Sequence, residues 1–299
     1  MKTLRFIIST VAISLLVFSA AAQPPRTGAA GRPPVNIYDN LEGAVKIMLW
    51  PDGAPNSNES TDPRDTGFEP FLNVFPAENP NGVVVLCLPG GGYAMLSKSH
   101  EGYDHRDWFK AQGITFALLE YRLPHSHYDV PLSDVHQAIR ILKQHAAEWN
   151  VKTIGVMGSS AGGHLASTAA THYTADTRPD FQILFYPVIS MDKSITHISS
   201  HDLLLGSDAS AELEQQYSNQ LQVNPQTPPA FIIHSSDDSL VPVENSLQYY
   251  RALVDNKVSA TMLIFPVGGH GYGCMPRFKY LNQYRATLAT WLETWTKAE

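Results

Sequence analysis

Short apolar runs alternate with stretches of helical periodicity along most of this chain. Most of the runs contain few polar positions, which is typical of strands that are buried on both faces of a sheet. They predict eight β-strands, at 45–49, 71–75, 83–88, 114–119, 153–157, 181–185, 230–233 and 261–265.

Three later segments repeat apolar residues every three or four positions, as one face of an amphipathic helix does. Their residues are Val135, Ile139, Leu142 and Ala146; then Val243, Leu247, Tyr250 and Val254; then Tyr284, Leu288, Trp291 and Trp295. Each apolar stripe is expected to cover one face of the sheet.

The order of these elements predicts the fold class. Strands that alternate with helices form a mostly parallel sheet with helices on both faces. The first two strands have no helix between them, so they are predicted to be antiparallel. The sequence therefore predicts one α/β domain over residues 35–299. Residues 190–222 interrupt the alternation and are predicted to form a small insertion or cap, and the polar stretch 51–68 is predicted to be a surface loop.

The N-terminus has the pattern of a secretory signal peptide. Lys2 and Arg5 precede an apolar run of about thirteen residues, and Ser19-Ala20-Ala21-Ala22 provides the small residues of a cleavage site. The run is shorter than the roughly 20 residues of a membrane-spanning helix. We therefore expect residues 1–22 to be removed and residues 23–34 to be a flexible leader. The mature protein is expected to be exported, periplasmic or extracellular, without membrane insertion.

Composition and charge narrow the function classes. The chain has 299 residues, of which 43% are hydrophobic, so a disordered protein is excluded. The net charge is −7 and no basic patch dominates, so nucleic-acid binding is not expected. Two cysteines, Cys87 and Cys274, are too few for a disulfide framework and are expected to be buried as small hydrophobic residues.

Two histidine pairs have the spacing of metal ligands. The pairs are His125 with His127 and His197 with His201. No cluster of carboxylates or thiols accompanies either pair, so they are interpreted as surface histidines and no metal is expected.

The strongest chemical signal lies between a predicted strand and a helix of small residues. Gly158-Ser159-Ser160-Ala161-Gly162 fits the G-x-S-x-G pattern, in which glycines let a serine adopt a strained conformation at a sharp turn. Ser160 is the candidate nucleophile, at a helix N-terminus whose free N–H groups favour developing negative charge. A plain Gly/Ser turn is the alternative, which the position after a buried strand disfavours.

Two loops late in the chain offer the base and the acid that such a serine needs, because a serine hydroxyl is a poor nucleophile until a base takes its proton. Asp237 and Asp238 follow the seventh predicted strand, and His270 lies among four glycines after the eighth. The order serine, acid, histidine is that of a strand-to-helix nucleophile turn. Position alone does not choose between the two aspartates: one is expected to orient His270, and the other to cap a helix beginning near Pro242.

A triglycine segment offers the third part of a hydrolase site. Gly90-Gly91-Gly92 follows the third predicted strand, and glycines let the backbone approach a substrate oxygen closely. The N–H groups of Ala161, Gly91 and Gly92 are the candidate donors of an oxyanion hole. A plain linker is the alternative.

These motifs resemble the α/β-hydrolase superfamily and, more narrowly, the bacterial carbohydrate acetylesterases and xylan-esterase-like hydrolases related to the hormone-sensitive-lipase group. The matching stretches are 87–93, 100–102, 121–124, 131–134, 158–166, 234–242 and 268–271. In that family the acid precedes x-x-Val-Pro at this spacing, which selects Asp238 over Asp237. One departure is Pro89, where many relatives carry a histidine before the glycines. The resemblance implies an α/β-hydrolase catalytic domain in which Ser160, His270 and Asp238 perform acyl transfer without a metal or organic cofactor.

The resemblance also implies a substrate class. A short-chain (acetyl) esterase acting on plant polysaccharide such as xylan suits an exported, acidic protein. Tyr93 and Tyr272 immediately follow the oxyanion loop and His270, so both are expected to line the substrate pocket. Further aromatic candidates are Trp108, Tyr128 and Tyr186, although packing in the core is the commoner fate of such residues.

Three other functions remain open at this point. A carboxylesterase acting on lipid or small-molecule esters would use the same three catalytic residues. A serine peptidase of the prolyl-oligopeptidase type usually adds a large propeller, which 299 residues cannot hold. A non-catalytic binding module on this fold usually lacks one member of the triad, whereas all three are present here.

Overall fold

The structure is a computed structural model, and it describes residues 41–62 and 68–296. The predicted signal peptide at 1–22 and the predicted leader at 23–34 lie outside the described residues, as does part of the predicted polar loop. The elements given below all belong to one unit, Glu42–Glu299.

The described residues form an eight-stranded sheet. Its strands are β1 (Val45–Met48), β2 (Phe71–Phe75), β3 (Val83–Leu88), β4 (Thr115–Glu120), β5 (Thr153–Ser159), β6 (Phe181–Phe185), β7 (Ala230–Ser235) and β8 (Ala260–Phe265). Their spatial order is β1-β2-β4-β3-β5-β6-β7-β8. β2 pairs antiparallel with β1 and with β4, and the other neighbouring strands are parallel. The predicted fold, a mostly parallel sheet with antiparallel N-terminal strands, is confirmed.

Helices connect and surround the strands. They are α1 (Arg106–Ala111), α2 (Asp129–Gln144), α3 (Ala146–Trp149), α4 (Ala161–Ala169), α5 (Ile198–Leu205), α6 (Ala211–Tyr217), α7 (Glu244–Asp255) and α8 (Leu281–Thr296). The sequence pattern did not predict α1, α5 and α6, because helices of 6, 8 and 7 residues are too short for an apolar stripe to repeat. α5 and α6 lie in the predicted insertion at 190–222. Within the described part of the chain, no helix has the length and apolar character needed to cross a membrane.

Helices cover both faces of the central strands. Alternate residues of a strand point to opposite faces of a sheet, and in these strands both sets of side chains are largely apolar, so both faces must be covered. On one face, Leu86 of β3 lies in a core cluster with apolar residues of α2, α4 and α7. On the other face, Phe109 of α1 stacks on Phe116 of β4 with ring centroids 5.8 Å apart. Trp291 of α8 packs edge-on against Phe181 of β6 on that face as well.

The buried face of α7 differs from the predicted stripe. Leu247 and Val254 belong to the stripe but are largely exposed, whereas Asn245 and Ser246 are fully buried. Asn245 accepts two backbone N–H groups of the loop after β6, and the Ser246 hydroxyl lies 2.7 Å from His234 Nδ1. The predicted face was wrong because hydrophobicity does not reveal polar side chains that have buried hydrogen-bond partners.

The direction of the strands decides where a site can form. β3, β5, β6, β7 and β8 are parallel neighbours, so their carboxyl ends lie at the same edge of the sheet. The loops that follow these five strands therefore meet at that edge, and ligands of open α/β sheets bind there.

Candidate active site

Ser160 lies at the turn from β5 into α4, in the middle of this edge. Its backbone has φ 54° and ψ −121°, which L residues rarely adopt. A Cβ on Gly158 would lie 2.0 Å from the carbonyl oxygen of Gly162, and a Cβ on Gly162 would lie 2.1 Å from the carbonyl oxygen of Leu88. Glycine is therefore required on both sides of the serine for the chain to make this strained turn.

Ser160, His270 and Asp238 form a hydrogen-bonded chain. Ser160 Oγ is 2.8 Å from His270 Nε2, and His270 Nδ1 is 2.7 Å from Asp238 Oδ2. Because the carboxylate accepts from Nδ1–H, Nε2 is left to accept the proton of the serine hydroxyl. The structure thus brings the three predicted residues together in the geometry of nucleophile, base and orienting acid.

Several donors hold Asp238 in its ionised form. Its Oδ1 accepts the N–H groups of Leu240 and Val241 at 3.0 Å, and its Oδ2 also lies 3.3 Å from His234 Nε2. Burial alone would raise the pKa of Asp238. The hydrogen bonds from His234 and His270 outweigh burial and hold the pKa of this carboxyl well below its ordinary value. The group therefore remains a carboxylate over the pH range in which imidazoles titrate.

Asp237 has a different role from the one expected. α7 begins at Glu244 without a side-chain cap, so neither aspartate caps it. Asp237 Oδ1 instead accepts the N–H groups of Gly268 and Gly269, at 2.9 and 2.8 Å. The capping prediction was wrong because the carboxylate of Asp237 binds backbone N–H groups of a loop that is distant in sequence, which a residue pattern does not show. Asp237 therefore ties the loop that carries His270 to the loop after β7.

Tyr186, directly after β6, holds the same loop from another side. Its ring packs edge-on against the His270 ring, with centroids 4.7 Å apart. The Gly273 N–H donates to its hydroxyl at 2.8 Å, and that hydroxyl donates to Oε1 of the buried Glu101 at 2.8 Å. The Tyr284 hydroxyl donates to the carbonyl of the same Gly273. Side chains from outside the loop therefore fix the position of the imidazole.

Tyr272 borders the site from a largely buried position. Its ring stacks on Phe278, with centroids 3.9 Å apart, and packs edge-on against Tyr186. Tyr272, Phe278 and His270 line a cavity of about 270 Å³. The structure thus places Tyr272 at a cavity wall beside the histidine.

The loop after β3 supplies the backbone donors. A Cβ on Gly90 would lie 3.1 Å from Ser160 Cβ, so this loop runs directly beside the nucleophile. Gly91 and Gly92 have φ of 126° and 67°, and a Cβ on Gly91 would lie 2.1 Å from a carbonyl oxygen of the same loop. Across residues 41–62 and 68–296, no acceptor takes the N–H groups of Gly91, Gly92 or Ala161. Free donors beside the nucleophile are what an oxyanion hole requires.

Tyr93 supports this loop from within the core. Its side chain is 1% exposed, and its hydroxyl lies 3.0 Å from His164 Nδ1. His164 Nε2–H donates to the Tyr217 carbonyl at 2.8 Å, so Nδ1 accepts from the tyrosine hydroxyl. Burial lowers the pKa of His164 to about 4, which keeps this arrangement at neutral pH. The expectation that Tyr93 lines the substrate pocket was wrong, because a side chain with almost no exposed surface cannot contact substrate.

The sequence does not point to two further supporting residues. His234 lies four residues before Asp238 at the end of β7, and that spacing on a buried strand is its only sequence signal. Glu101 lies within a stretch that matches the resembled family, yet nothing in the sequence assigns it a role. Glu101 acts through a contact with Tyr186, which is distant in sequence, and residue patterns do not show such contacts.

Metal ligation has no support in the residues that the structure describes, since no group of three or more His, Cys, Asp or Glu is placed to hold an ion there. Cys87 and Cys274 are free and buried, as expected. His201 is fully buried between Asp202 and Glu214, at 2.8 and 3.0 Å, so its interpretation as a surface residue was wrong. Two local carboxylates explain its burial.

Comparison with known proteins gives a consistent set of relatives. A family model described as BD-FAE matches residues 74–253. The chain is 44% identical over 226 residues to an acetylxylan esterase of Xylanibacter ruminicola, covering 74% of this chain and 47% of that protein. It is 36% identical over 204 residues to endo-1,4-beta-xylanase B of Butyrivibrio fibrisolvens, covering 62% of this chain and 32% of that protein.

A solved structure is similar over most of the chain. It is the acetyl ester-xyloside bifunctional hydrolase from Caldicellulosiruptor lactoaceticus, with a TM-score of 0.75 and 34% identity over 84% of this chain and 96% of that one. The chain spans about half or less of the length of the two curated relatives named above.

Proposed function

This chain belongs to the BD-FAE family of α/β-hydrolase carboxylic ester hydrolases, and from that premise we propose that it is a serine esterase that removes acetyl groups from plant polysaccharide such as xylan. The observation that carries the proposal is the continuous chain from Ser160 Oγ through His270 to Asp238, with links of 2.8 and 2.7 Å. Such a chain turns a weakly nucleophilic hydroxyl into one that can attack an ester.

The geometry supports a two-step acyl transfer. In the first step His270 Nε2 accepts the Ser160 proton while Oγ attacks the ester carbonyl, and the imidazolium then protonates the departing alcohol oxygen. The acetyl group is left on Oγ as an ester. In the second step the same imidazole takes a proton from water, the hydroxide attacks the acetyl carbonyl, and Ser160 leaves with its proton restored. Acetate is the product, and no cofactor takes part.

Two features lower the barrier of both steps. Asp238, held ionised by its donors, stabilises the imidazolium that forms at His270. The free N–H groups of Gly91, Gly92 and Ala161 stabilise the negative charge on the carbonyl oxygen of each tetrahedral intermediate. The loss of one such donor typically costs on the order of 10² to 10³ in kcat.

The relatives support the choice of acyl group and substrate. Two of them are described by acetyl ester hydrolysis, and all three by xylan or xyloside substrates. A carboxylesterase acting on lipid or small-molecule esters uses the same triad, so the substrate must be tested directly.

Export is part of the proposal. The charged, apolar and small-residue segments of residues 1–22 support it, and an insoluble polysaccharide is reached only outside the cell's inner membrane. N-terminal sequencing of the protein from the periplasmic and culture fractions tests it. A mature chain that begins after Ala22 is expected, and an uncleaved chain confined to the cytoplasm would contradict it.

The activity is tested by hydrolysis of p-nitrophenyl acetate, butyrate and octanoate, together with acetate release from acetylated xylan. Wild type is expected to prefer acetate and to free acetate from xylan, and Ser160→Ala is expected to lose on the order of 10⁶ in kcat. Ser159→Ala is the matched control, because the neighbouring hydroxyl is buried with no hydrogen-bond partner among the described residues, so its removal leaves no group there unpaired.

Each result has a distinct meaning. If the enzyme prefers the octanoate ester and frees no acetate from xylan, its substrates are lipid or small-molecule esters and not polysaccharide. No turnover of any ester by wild type would refute the esterase itself. Equal activity of wild type and Ser160→Ala would refute the assignment of the nucleophile.

A further inference from the structure

His197 stands at the edge of the catalytic site, although its sequence context predicts a surface residue. It immediately precedes α5, within the insertion between β6 and β7. Its side chain is half-buried against the oxyanion loop, since its Cε1 lies 3.6 Å from the position of a Cβ on Gly92. The Ser200 hydroxyl lies 2.8 Å from its Nδ1 and fixes the ring. The insertion thus delivers one polar ring to the site.

The second ring nitrogen of His197 is available for a ligand. Within the part of the chain that the structure describes, Nδ1 has Ser200 as partner and Nε2 has none. Burial lowers the pKa of His197, the charge of His270 lowers it further, and the charge of Asp238 raises it. The imidazole is therefore neutral at neutral pH and lies within electrostatic reach of both catalytic groups.

The chemistry of the reaction decides which part of an ester lies beside this ring. The carbonyl oxygen must point at the N–H groups of the oxyanion loop, and the alcohol oxygen must lie where His270 Nε2 can protonate it. The His197 ring borders Gly92 of this loop. Because an acetyl group has no hydrogen-bonding atom besides its carbonyl oxygen, a polar ring at this position has a partner only in the alcohol part. In acetylated xylan the alcohol is a sugar ring that is esterified at O2 or O3, and the other of these two neighbouring positions bears a hydroxyl group. A hydroxyl both donates and accepts, so it can pair with Nε2 in either tautomer.

We propose that His197 recognises the sugar, by a hydrogen bond between its Nε2 and a hydroxyl adjacent to the acetylated oxygen. The proposal rests on the proposed polysaccharide acetylesterase function and adds a residue that selects sugar esters over simple acetates. His197 is in this sense a specificity-determining residue, supplied by the insertion and not by the sheet.

The test compares two acetate esters that differ only in their alcohol part. One is a xylo-oligosaccharide with a single acetyl group and free neighbouring hydroxyls, and the other is p-nitrophenyl acetate, which has no hydroxyl there. His197→Ala is expected to lower kcat/KM for the sugar ester roughly tenfold, the effect of about one hydrogen bond, mainly through KM. With p-nitrophenyl acetate the same variant is expected to stay within about twofold of wild type.

Two further variants separate recognition from structure. His197→Gln retains a polar group of similar reach and is expected to recover part of the lost activity on the sugar ester. Ile198→Ala alters the exposed neighbour on α5 and is expected to match wild type on both substrates. The p-nitrophenyl acetate rate reports directly that each variant is folded and has an intact triad.

Three outcomes would overturn the inference. Equal losses on both esters would mean that His197 acts on the triad or the oxyanion loop, and unchanged rates on both would mean that it contacts no substrate. If wild type itself cleaves p-nitrophenyl acetate but frees no acetate from the sugar ester, the proposed function fails before any variant is made, and the inference fails with it.

Discussion

The two loops that flank Ser160 are held in place in different ways. The loop after β8 carries His270, and contacts from outside fix it: Asp237 binds two of its N–H groups and Tyr186 binds a third. The loop after β3 is held mainly by its own backbone, with two N–H groups turning back to the carbonyl of Gly91. Beneath it, Tyr93 anchors the chain to the core.

The difference follows from what each loop must present. The loop after β8 has to place a side chain, so its orientation depends on other side chains that contact the ring and its flanking peptides. The loop after β3 has to leave backbone N–H groups unpaired, so its shape depends on glycine conformations that other residues rarely adopt. Substitutions that remove a hydrogen-bond partner should therefore displace the loop after β8, whereas substitutions that add a side chain to a glycine should distort the loop after β3.

The largest effect on the histidine loop is expected from its acid. Asp238→Asn removes the charge that orients His270 and stabilises the imidazolium, and kcat is expected to fall on the order of 10⁴-fold. Asp237→Asn is the matched control, because its side-chain oxygen can still accept from Gly268 and Gly269. Steady-state kinetics with p-nitrophenyl acetate measures both, and a larger loss in Asp237→Asn would reverse the assignment of the two aspartates.

The glycine loop gives the next largest effect. Gly91→Ala places a Cβ 2.1 Å from a backbone carbonyl oxygen at φ 126°, so the loop must rearrange and kcat is expected to fall on the order of 10² to 10³. Gly92→Ala meets no atom closer than 3.6 Å, and its φ of 67° lies in the left-handed region, so a smaller loss is expected. Steady-state kinetics of both variants checks this order, with circular dichroism to show that each is folded. Equal losses of kcat would contradict it.

A smaller effect is expected from Tyr186→Phe. The variant keeps the ring against His270 but deprives Glu101 and the Gly273 N–H of their partner, so the free energy of unfolding should fall by about 1–3 kcal/mol. The kcat should fall roughly tenfold, through slight displacement of the imidazole.

Tyr284→Phe provides the control for Tyr186→Phe, since it removes a hydroxyl from the carbonyl of the same Gly273 without touching the His270 ring. The free energy of unfolding in urea and kcat are measured for both variants and compared. If Tyr284→Phe lowers kcat as much as Tyr186→Phe, the loss of an anchor of Gly273, which both variants share, explains the effect, and the placement of the Tyr186 ring against His270 does not.

Acid should weaken the support beneath the glycine loop. Burial lowers the pKa of His164 to about 4, against about 6.5 in an unfolded chain. Between these values the unfolded chain binds the extra proton, so the contribution of His164 is fully present above about pH 6.5 and is lost as pH falls towards 4. The free energy of unfolding is expected to fall by ~3 kcal/mol through this group over that pH range.

His164→Gln tests this dependence because it cannot titrate. Its amide can still donate to the Tyr217 carbonyl and accept from Tyr93. Urea unfolding is measured between pH 7 and pH 4, a range set by the unfolded and folded pKa values. The free energy of unfolding of the variant is expected to depend less steeply on pH than that of wild type. An unchanged slope would show that His164 is not the titrating group. Burial also lowers the pKa of His105, to about 3, so some dependence should remain.

The sequence predicts the strands and the nucleophile turn more fully than it predicts the residues that hold the site in place. Short apolar runs identify every strand of the described sheet, and the glycines around Ser160 identify the turn, because both are local consequences of burial and steric fit. The role of Asp237, the buried face of α7 and the position of Tyr93 depend on partners that lie far away in sequence. Buried polar residues such as Asn245 look like surface residues until their partners are known, and His197 reaches the site only because the insertion folds back over the oxyanion loop.

The proposed mechanism requires an acetyl group that resides on Ser160 during turnover. Rapid quenching of wild type with p-nitrophenyl acetate, followed by peptide mapping by mass spectrometry, looks for that group directly. We expect a burst of p-nitrophenol that approaches one per enzyme, and an acetyl group on the peptide that contains Ser160. Both should be absent in Ser160→Ala. Steady turnover with no acetylated Ser160 at any quench time, or acetylation of a different residue that tracks turnover, would contradict this mechanism.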